Sequence, residues 1–458
     1  MNLQFLDEIF NNLDFFFPNL KADGHLACAN CNGVYYCDKV CQRNAWKSHH
    51  KIECEYFRHI PDEVADIKDS FLKAMFRKGV PILMVRTILK LSQGCQDEFV
   101  LPNGKKRRFS DLMSHKEEMK EDAEMMNGLK ICFRLFKTWL GYKVPTFILA
   151  NIDEFIEIFG KIKINSAALS ASNEDTVVAT GVYLGYSAID HSCAPNAHWY
   201  NDGTKLILRT MEDVQNFSDL RITYLGKFGI GTTSDERKKK LKREYYFDCK
   251  CSKCEDPNSD AKLMSLICKK CDGWVYIDFN ICSKCSRRNH YKDHEQKIIE
   301  EFKNGTLTLP TPRMTWPKLV IKLFNKYSRI FHPSNKIFGG KSFDSDYSRM
   351  IHQPDGLYYL CKIGEVKLTH LYEHHSKLSK FIMNEEKMLG ELYLMLNGRT
   401  QNHKWLYESF PHLEKAEEIC KIGIGSRASV GKVAMKRIED RKETAMLIQM
   451  GWMTMHPT

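Results

Sequence analysis

The sequence lacks a long hydrophobic run, and this absence argues against two classes of protein. A helix that crosses a bilayer needs about 20 apolar residues, whereas the apolar run Phe15-Phe16-Phe17 lies in a segment that also carries Asp7 and Asp14. The chain also does not open with the basic stretch and apolar stretch of a secretory signal. We therefore expect a soluble, intracellular protein.

The composition is that of a globular protein with a moderate excess of positive charge. Hydrophobic residues make up 43% and charged residues 27% of the 458 residues, which argues against wholesale disorder and allows roughly two to four domains. The 68 Lys and Arg against 57 Asp and Glu give a net charge of +11, which would suit nucleic acid or an acidic partner. Much of this excess lies in residues 237–243, which read as the outer face of a helix, so we favour a solvated surface.

Cysteine is abundant, and its spacing indicates metal rather than disulfides. Seventeen cysteines occur in a chain without an export signal, and the cytosol and nucleus keep thiols reduced. Pairs two or three residues apart present two thiolates to one tetrahedral zinc ion. Thirteen of the cysteines fall in three groups, which predict two to three zinc ions: Cys28, Cys31, Cys37, Cys41 and Cys54; Cys193, Cys249, Cys251 and Cys254; and Cys268, Cys271, Cys282 and Cys285.

The middle of the chain carries a second, more specific pattern. A strand-rich region contains Asp190-His191-Ser192-Cys193-Ala194-Pro195-Asn196, followed by Tyr224 and then by Cys249-x-Cys251-x2-Cys254. In these motifs the sequence resembles the SET-domain lysine methyltransferases, and more closely the SMYD group, in which a MYND zinc finger splits the SET domain. The resemblance covers roughly residues 25–285 by motif and the remainder by helical character.

The resemblance implies an α+β fold with a β-rich SET core, a helical insert and an all-helical C-terminal domain. The predicted boundaries are an N-terminal segment at 1–24, a MYND-type finger at 25–57, a helical insert at 58–160 and a SET core at 161–248. The post-SET cysteines and a zinc knuckle follow at 249–290, and the helical domain occupies 291–458.

Thr233 and Glu236 predict a capping box at the start of the basic helix.

The resemblance also implies how the middle zinc site is completed. Cys249, Cys251 and Cys254 offer three thiolates, and a closed structural site needs four ligands; in the family the fourth is the cysteine that matches Cys193. The alternative is that Cys193 is a catalytic nucleophile beside His191. We disfavour it because residues in a strand alternate between faces and no thiol-activating context is visible.

The first cysteine group matches an incomplete MYND finger. In the family's interleaved scheme Cys28, Cys31, His50 and Cys54 complete one zinc site, whereas Cys37 and Cys41 lack their partner pair. His49 is an alternative ligand to His50, and a site made of Cys28, Cys31, Cys37 and Cys41 is an alternative arrangement. Cys268, Cys271, Cys282 and Cys285 form a self-contained zinc ribbon, which we interpret as a structural staple.

The resemblance assigns catalytic and cofactor-binding roles. Tyr224 matches the family's catalytic tyrosine, and Tyr245 and Phe247 match the aromatic residues that line the lysine channel and the cofactor site. His191 and the residue before it match positions that hold the amino-acid end of S-adenosylmethionine. The family has asparagine where this chain has Asp190, which removes a donor and adds negative charge near the cofactor carboxylate. Asn165 matches a cofactor-contacting asparagine by its distance from this motif.

The first residues depart from the family pattern. The family begins its SET domain before the finger with a glycine-rich G-x-G cofactor loop, and the roughly 27 residues before Cys28 contain none. We therefore expect either a chain that begins within the SET domain or a degenerate SET fold.

The leading hypothesis is a protein-lysine N-methyltransferase that uses S-adenosylmethionine and zinc and acts on histone or non-histone lysines. The alternative is a catalytically inactive SET and MYND protein that binds partners, and a third, weaker alternative is a zinc-ribbon nucleic-acid binder. We expect a monomer located in the nucleus and cytoplasm, with a proline-rich peptide as partner of the finger. Neither a membrane nor direct contact with nucleic acid is expected.

Overall fold

The computed structural model describes four stretches of the chain. They are residues 26–58 without 33 and 37, 80–141 without 95 and 96, 151–307 without 171–176, 203, 204 and 230, and 317–450 without 340–349, 353, 354 and 425–428. The predicted segment 1–24 lies outside the described residues. No helix in these stretches is long and apolar enough to span a bilayer.

The finger packs directly against the helical insert. It comprises the two-stranded hairpin β1 (Leu26–Ala27) and β2 (Tyr35–Tyr36), then helix α1 (Lys39–Ala45), a π-helical turn (Trp46–His50) and α2 (Lys51–Arg58). The buried carboxylate of Glu53 on α2 accepts a hydrogen bond from Arg86 of the insert at 2.6 Å. The indole of Trp139 donates to the Tyr56 carbonyl at 2.8 Å. One apolar core spans both regions.

The insert is mostly helical, as predicted, but it also contains a β-hairpin. Its helices are α3 (Val80–Ser92), α4 (Lys116–Glu121), α5 (Ala123–Leu140) and α6 (Ile152–Asn165). Strands β3 (Glu98–Val100) and β4 (Lys106–Arg108) pair antiparallel. Gly104, at φ +79°, makes the turn between them, a conformation that costs glycine little.

Three pairs of strands form the region predicted as the SET core. Strands β5 (Ser166–Ser170) and β6 (Val177–Val182) pair antiparallel, as do β8 (Ala197–Asp202) and β9 (Lys205–Thr210). Strands β7 (Asp190–His191) and β10 (Arg221–Ile222) pair parallel. Asn196 joins this last pair: its amide donates to the Asp219 carbonyl at 2.9 Å and accepts from the Arg221 N–H at 2.7 Å.

The basic helix α7 (Ser234–Tyr245) begins at the predicted capping box of Thr233 and Glu236, which is confirmed. The expectation that its basic residues form an outer face is wrong at its first cation. Arg237 is fully buried, with 0% of its surface exposed, because its guanidinium lies beside the post-SET cysteines. Helices α8 (Ser252–Glu255) and α9 (Pro257–Leu263) follow those cysteines.

The ribbon and the C-terminal helices share one core. Strands β11 (Leu266–Ile267), β12 (Trp274–Tyr276) and β13 (Ile281–Cys282) form a three-stranded antiparallel sheet. Buried residues of this sheet pack with those of the helices in a single cluster. The helices are α10 (Asp293–Lys303), α11 (Pro317–Tyr327), α12 (Lys336–Gly339), α13 (Gly356–His374), α14 (Lys380–Thr400), α15 (His403–Ile419) and α16 (Ser429–Gln449).

A single methyl group at Gly160 is expected to disturb the packing of α6. A Cβ there would lie 2.2 Å from the Ser114 carbonyl oxygen, and neither backbone can move away by rotating a side chain. Gly160→Ala should therefore cost about 1–3 kcal/mol of stability, seen as a lower midpoint in thermal or urea denaturation. Lys130→Ala, on the exposed face of α5, serves as the control. An unchanged midpoint for Gly160→Ala would contradict this packing.

Candidate functional site

Three sets of four side chains are each arranged for one tetrahedral metal ion. In each set the four ligand atoms lie within 4.8 Å of one another. Sulfur atoms about 2.3 Å from a tetrahedral zinc ion are about 3.8 Å apart, and five of the sulfur pairs within these sets are separated by 3.5–4.0 Å. The structure thus fits zinc at all three places. The sets are Cys28, Cys31, His50 and Cys54; Cys193, Cys249, Cys251 and Cys254; and Cys268, Cys271, Cys282 and Cys285.

In the finger, the structure selects His50 over His49. The Nε2 of His50 lies 3.6 Å from the Cys31 Sγ, and burial lowers the pKa of this imidazole to about 4, which favours the neutral form that binds zinc. His49 instead forms a hydrogen bond with Ser48. Cys41 is exposed at the start of α1 and belongs to none of the described ligand sets, and Cys37 lies outside the described residues.

The ribbon directs backbone N–H groups at its sulfurs. The N–H groups of Lys270, Gly273 and Lys284 each point at a cysteine sulfur at 3.4 Å, an arrangement that stabilises thiolates. A Cβ on Gly273 would lie 2.7 Å from the Lys284 Cβ and 2.8 Å from the Cys282 Sγ. Glycine at this position therefore lets the two cysteine turns approach each other.

A buried cation accompanies the middle set. The Arg237 guanidinium donates to the carbonyls of Thr232 and Lys253 and approaches the Cys254 Sγ at 3.5 Å. In the part of the chain that the structure describes, no carboxylate pairs with it, and its Nε has no hydrogen-bond partner. Buried charges are normally compensated. Four thiolates around Zn²⁺ carry a net charge of −2, which supplies that compensation.

His191 joins the middle set to the predicted catalytic tyrosine. Its Nδ1 accepts the Tyr224 backbone N–H at 3.0 Å, because a backbone N–H can only donate. The proton of a neutral ring is then on Nε2, which lies 3.2 Å from the Cys193 Sγ. Hydrogen bonds of this kind orient metal ligands and tune them.

The expectation that His191 and Cys193 face opposite ways is wrong. Side chains along an extended chain return to the same side every second residue, and these two residues are two positions apart. Their contact resembles a thiol–imidazole pair. However, Cys193 Sγ also lies 4.0 Å from Cys249 Sγ and 3.5 Å from Cys254 Sγ, which fits a zinc ligand better than a nucleophile.

Four of the rings that line a cavity of about 390 Å³ lie close to one another. The ring centroid of Tyr224 lies 5.0 Å from that of Tyr245, 5.2 Å from that of His191 and 6.4 Å from that of Phe247. The parallel pairing of β7 with β10 brings His191 beside Tyr224, and the last residue of α7 and the segment just after it supply the other two rings. The structure thus brings together residues that lie far apart in the sequence.

The Tyr224 hydroxyl is a neutral group held in a fixed direction. It donates to the Ile189 carbonyl at 2.7 Å. Burial raises its pKa well above the usual value, and the negative charge of Asp190 acts in the same direction. Burial also raises the pKa of Tyr245 to about 12. Both phenols therefore keep their protons at neutral pH, and neither is a ready base.

The cavity also contains Asn165, Asp190 and a residue that sequence reasoning missed. Both hydrogens of the Asn165 amide are donated to the backbone, to Met113 and Lys161, so toward the cavity this side chain offers only an acceptor. Asp190 lies at the mouth and is exposed. Arg107, from the hairpin of the insert, reaches the same cavity. The sequence around Arg107 does not indicate this position in the cavity, because Ser187, which holds its guanidinium, lies 80 residues further along the chain.

The cavity fits S-adenosylmethionine by the chemistry of its lining. One part offers the aromatic rings of Tyr224, Tyr245 and Phe247, which suit the adenosyl and methyl groups. Another part offers a cation and an anion, Arg107 and Asp190, which suit a zwitterionic amino-acid end. The side chains present are thus compatible with this cofactor.

Comparison with known proteins gives one matching family model and a set of related chains. The model described as MYND finger matches residues 18–54. The human protein named histone-lysine N-methyltransferase SMYD3 is 28% identical over 246 residues, which is 52% of this chain and 51% of that protein. Histone-lysine N-methyltransferase ASHR1 of Arabidopsis thaliana is 27% identical over 340 residues, covering 67% and 65%.

A more distant match is also more extended. N-lysine methyltransferase SMYD2-A of Danio rerio is 22% identical over 416 residues, which is 86% of this chain and 82% of that protein. The chain spans about half the length of the human relative and about two thirds of the length of the Arabidopsis thaliana relative.

Elemental analysis should find at least three zinc ions per chain, one for each described ligand set. Cys251→Ser should lower the count by one and loosen residues 249–263, because metal binding at such a site is itself folding free energy. Limited proteolysis of the variant would show the loosening. A parent protein that binds fewer than three zinc ions would refute the three-site interpretation.

Arg237→Met should weaken zinc binding at one site only. Removing the buried cation leaves the charge of the middle site uncompensated, and supporting residues of this kind are worth about 10- to 100-fold in metal affinity. Competition with a chromogenic chelator should show one zinc ion released more readily and two released as in the parent. Arg237→Lys should show a smaller loss, and Lys239→Met, exposed on the same helix, should show none. Release of all zinc ions as in the parent would remove this role from Arg237.

Proposed function

We propose that this chain, which resembles SMYD proteins and carries a MYND-type finger, is a protein-lysine N-methyltransferase that uses S-adenosylmethionine. The observation that carries this proposal is the cavity in which Tyr224, Tyr245, Phe247 and His191 meet beside a zinc-type cysteine set. When bound, the cofactor supplies a methyl group on a cationic sulfur. The protein positions the reacting groups, excludes water from them and directs the Tyr224 hydroxyl.

Tyr224 is proposed to align the target amine. Because its hydroxyl hydrogen is donated to the Ile189 carbonyl, its oxygen is available to accept a hydrogen bond from an incoming N–H. The target amine must be neutral to react, and the rings of Tyr245 and Phe247 favour the uncharged form by excluding water. Catalysis then rests on positioning and preorganised polar groups rather than on a protein base.

The protein substrate is proposed to lie between the core and the helical domain. A cavity of about 810 Å³ is lined by Cys193, Ala194 and Pro195 on one side and by His374 and His375 on the other. The Lys253 ammonium, which also lines this cavity, donates to the His374 carbonyl at 2.8 Å and so links the post-SET segment to the C-terminal helices. The C-terminal domain would thus form one wall of the substrate cleft, with a histone or another protein lysine as the target.

The finger is proposed to recruit partners rather than to catalyse. MYND fingers bind proteins, and we assign a proline-rich peptide as the partner of this one. We further propose a monomer that works in the nucleus and cytoplasm, where its thiol ligands remain reduced.

Tyr224→Phe should reduce methyl transfer by about 10²–10³-fold, the effect of losing one preorganised hydrogen-bonding group. Zinc content, thermal stability and S-adenosylmethionine binding should stay close to those of the parent, because the ring remains. A tritiated-methyl assay on histones and on cell lysate, paired with calorimetric cofactor titration, measures both. Tyr276→Phe, in the ribbon, is the matched control.

Two outcomes would contradict the proposal in different ways. Robust activity that is unchanged in Tyr224→Phe would exclude this tyrosine as the aligning group. A parent protein that binds no cofactor would replace the enzyme by the alternative, a zinc-stabilised SET and MYND module that only binds partners.

A further inference from the structure

The cavity that we propose for the cofactor is also lined by a cation from the helical insert. Arg107 lies on β4 of the insert hairpin, and its Nε and Nη2 donate to the Ser187 hydroxyl at 2.9 Å and to the Ser187 carbonyl at 2.8 Å. In the part of the chain that the structure describes, no carboxylate forms an ion pair with it. Two hydrogen bonds thus fix the guanidinium at the cavity wall while its charge remains available.

The turn that holds Arg107 leads directly to Asp190. Ser187 lies in a short helical turn (Tyr186–Ala188), and Asp190 begins β7 two residues after that turn. Both charged side chains line the cavity that also contains Tyr224. One wall of the cavity therefore offers a fixed positive charge and a nearby negative charge, without a direct ion pair between them.

We propose that Arg107 binds the carboxylate of the amino-acid end of the cofactor and offsets the negative charge of Asp190. This inference rests on the proposed function. It names the residue whose positive charge allows Asp190 to lie beside the carboxylate of the cofactor. A carboxylate bound beside an aspartate is repelled unless a cation lies close to both. A guanidinium has the geometry that carboxylates prefer, since it presents several N–H groups in one plane.

A simpler role for Arg107 is to pin the hairpin to the Ser187 turn. The two roles predict different patterns of ligand binding. A residue that acts only as such a pin, by holding the hairpin in place, affects the shape of the whole cavity. Its removal should therefore weaken the binding of every ligand that occupies the cavity. A carboxylate-binding residue affects only ligands that carry the amino-acid end. The affinity lost on removing it should depend on whether residue 190 carries a negative charge.

Calorimetric titration with two ligands separates these roles. S-adenosylhomocysteine carries the amino-acid end, and 5′-methylthioadenosine lacks it while keeping the adenosyl group. Arg107→Ala should weaken binding of the first ligand about 10- to 100-fold, the range for a hydrogen bond to a charged group, and leave the second unchanged. Arg108→Ala, the next residue, which pairs with Glu98 on the surface, should bind both ligands as the parent does.

A double variant tests the charge relation directly. In Arg107→Ala the Asp190 carboxylate is left uncompensated beside the ligand carboxylate, so Arg107→Ala/Asp190→Asn should regain part of the lost affinity for S-adenosylhomocysteine. A pin lost from the hairpin would not be restored by removing a charge elsewhere. Thermal denaturation of each variant shows whether the fold is retained.

Three results would overturn the inference. The first is Arg107→Ala binding S-adenosylhomocysteine as tightly as the parent. The second is an equal loss for both ligands, which would assign Arg107 the role of a pin. The third is a parent that binds neither ligand, which removes the proposed function together with the inference, whereas the first two leave the proposed function standing.

Discussion

The closure of Cys193 onto the post-SET cysteines is the interaction on which the rest of the site depends. It brings together Cys193, in the loop after β7, and cysteines from the segment after α7, which are separated by more than fifty positions. His191 then transmits this closure to Tyr224, since one ring nitrogen faces the sulfur and the other holds the tyrosine backbone. The same closure places Tyr245 and Phe247 over the cavity. A four-cysteine ligand set and the proposed reaction site are thus parts of one arrangement.

The same closure also explains an otherwise costly feature, the fully buried Arg237. A guanidinium without a carboxylate partner would be strongly unfavourable in an apolar interior. Beside four thiolates it becomes the cation that an anionic cluster requires. In the finger, the neutral ligand His50 and a separate Arg86–Glu53 ion pair take the place of such a cation. In the ribbon, backbone N–H groups that point at the sulfurs do so. Each set has its own means of stabilising bound thiolates.

The completion of the middle set by Cys193 and the roles of the clustered rings were implied only by the family resemblance, whereas the cysteine pairs were predictable because they belong to short motifs with fixed spacing. The capping box at Thr233 was predictable for the same reason, since its two partners are three residues apart. Arg107 and Arg237 were not predictable, because their roles arise from contacts with distant segments. Arg237 lies in a run of basic residues whose pattern indicates a solvated face, and only the tertiary packing shows that its first member points inward. The β3–β4 hairpin was missed because its charged residues resemble a loop.

The single core shared by the ribbon and the C-terminal helices has a consequence for how the chain is made. Cys268 and Cys282 are buried among apolar residues of the same cluster as the helices, and they leave the ribosome before the helices do. Because domains fold as units during synthesis, a metal-loaded ribbon would offer the first ordered surface on which the later helices assemble. The supply of zinc at that moment, rather than after release, would then set the yield of native protein.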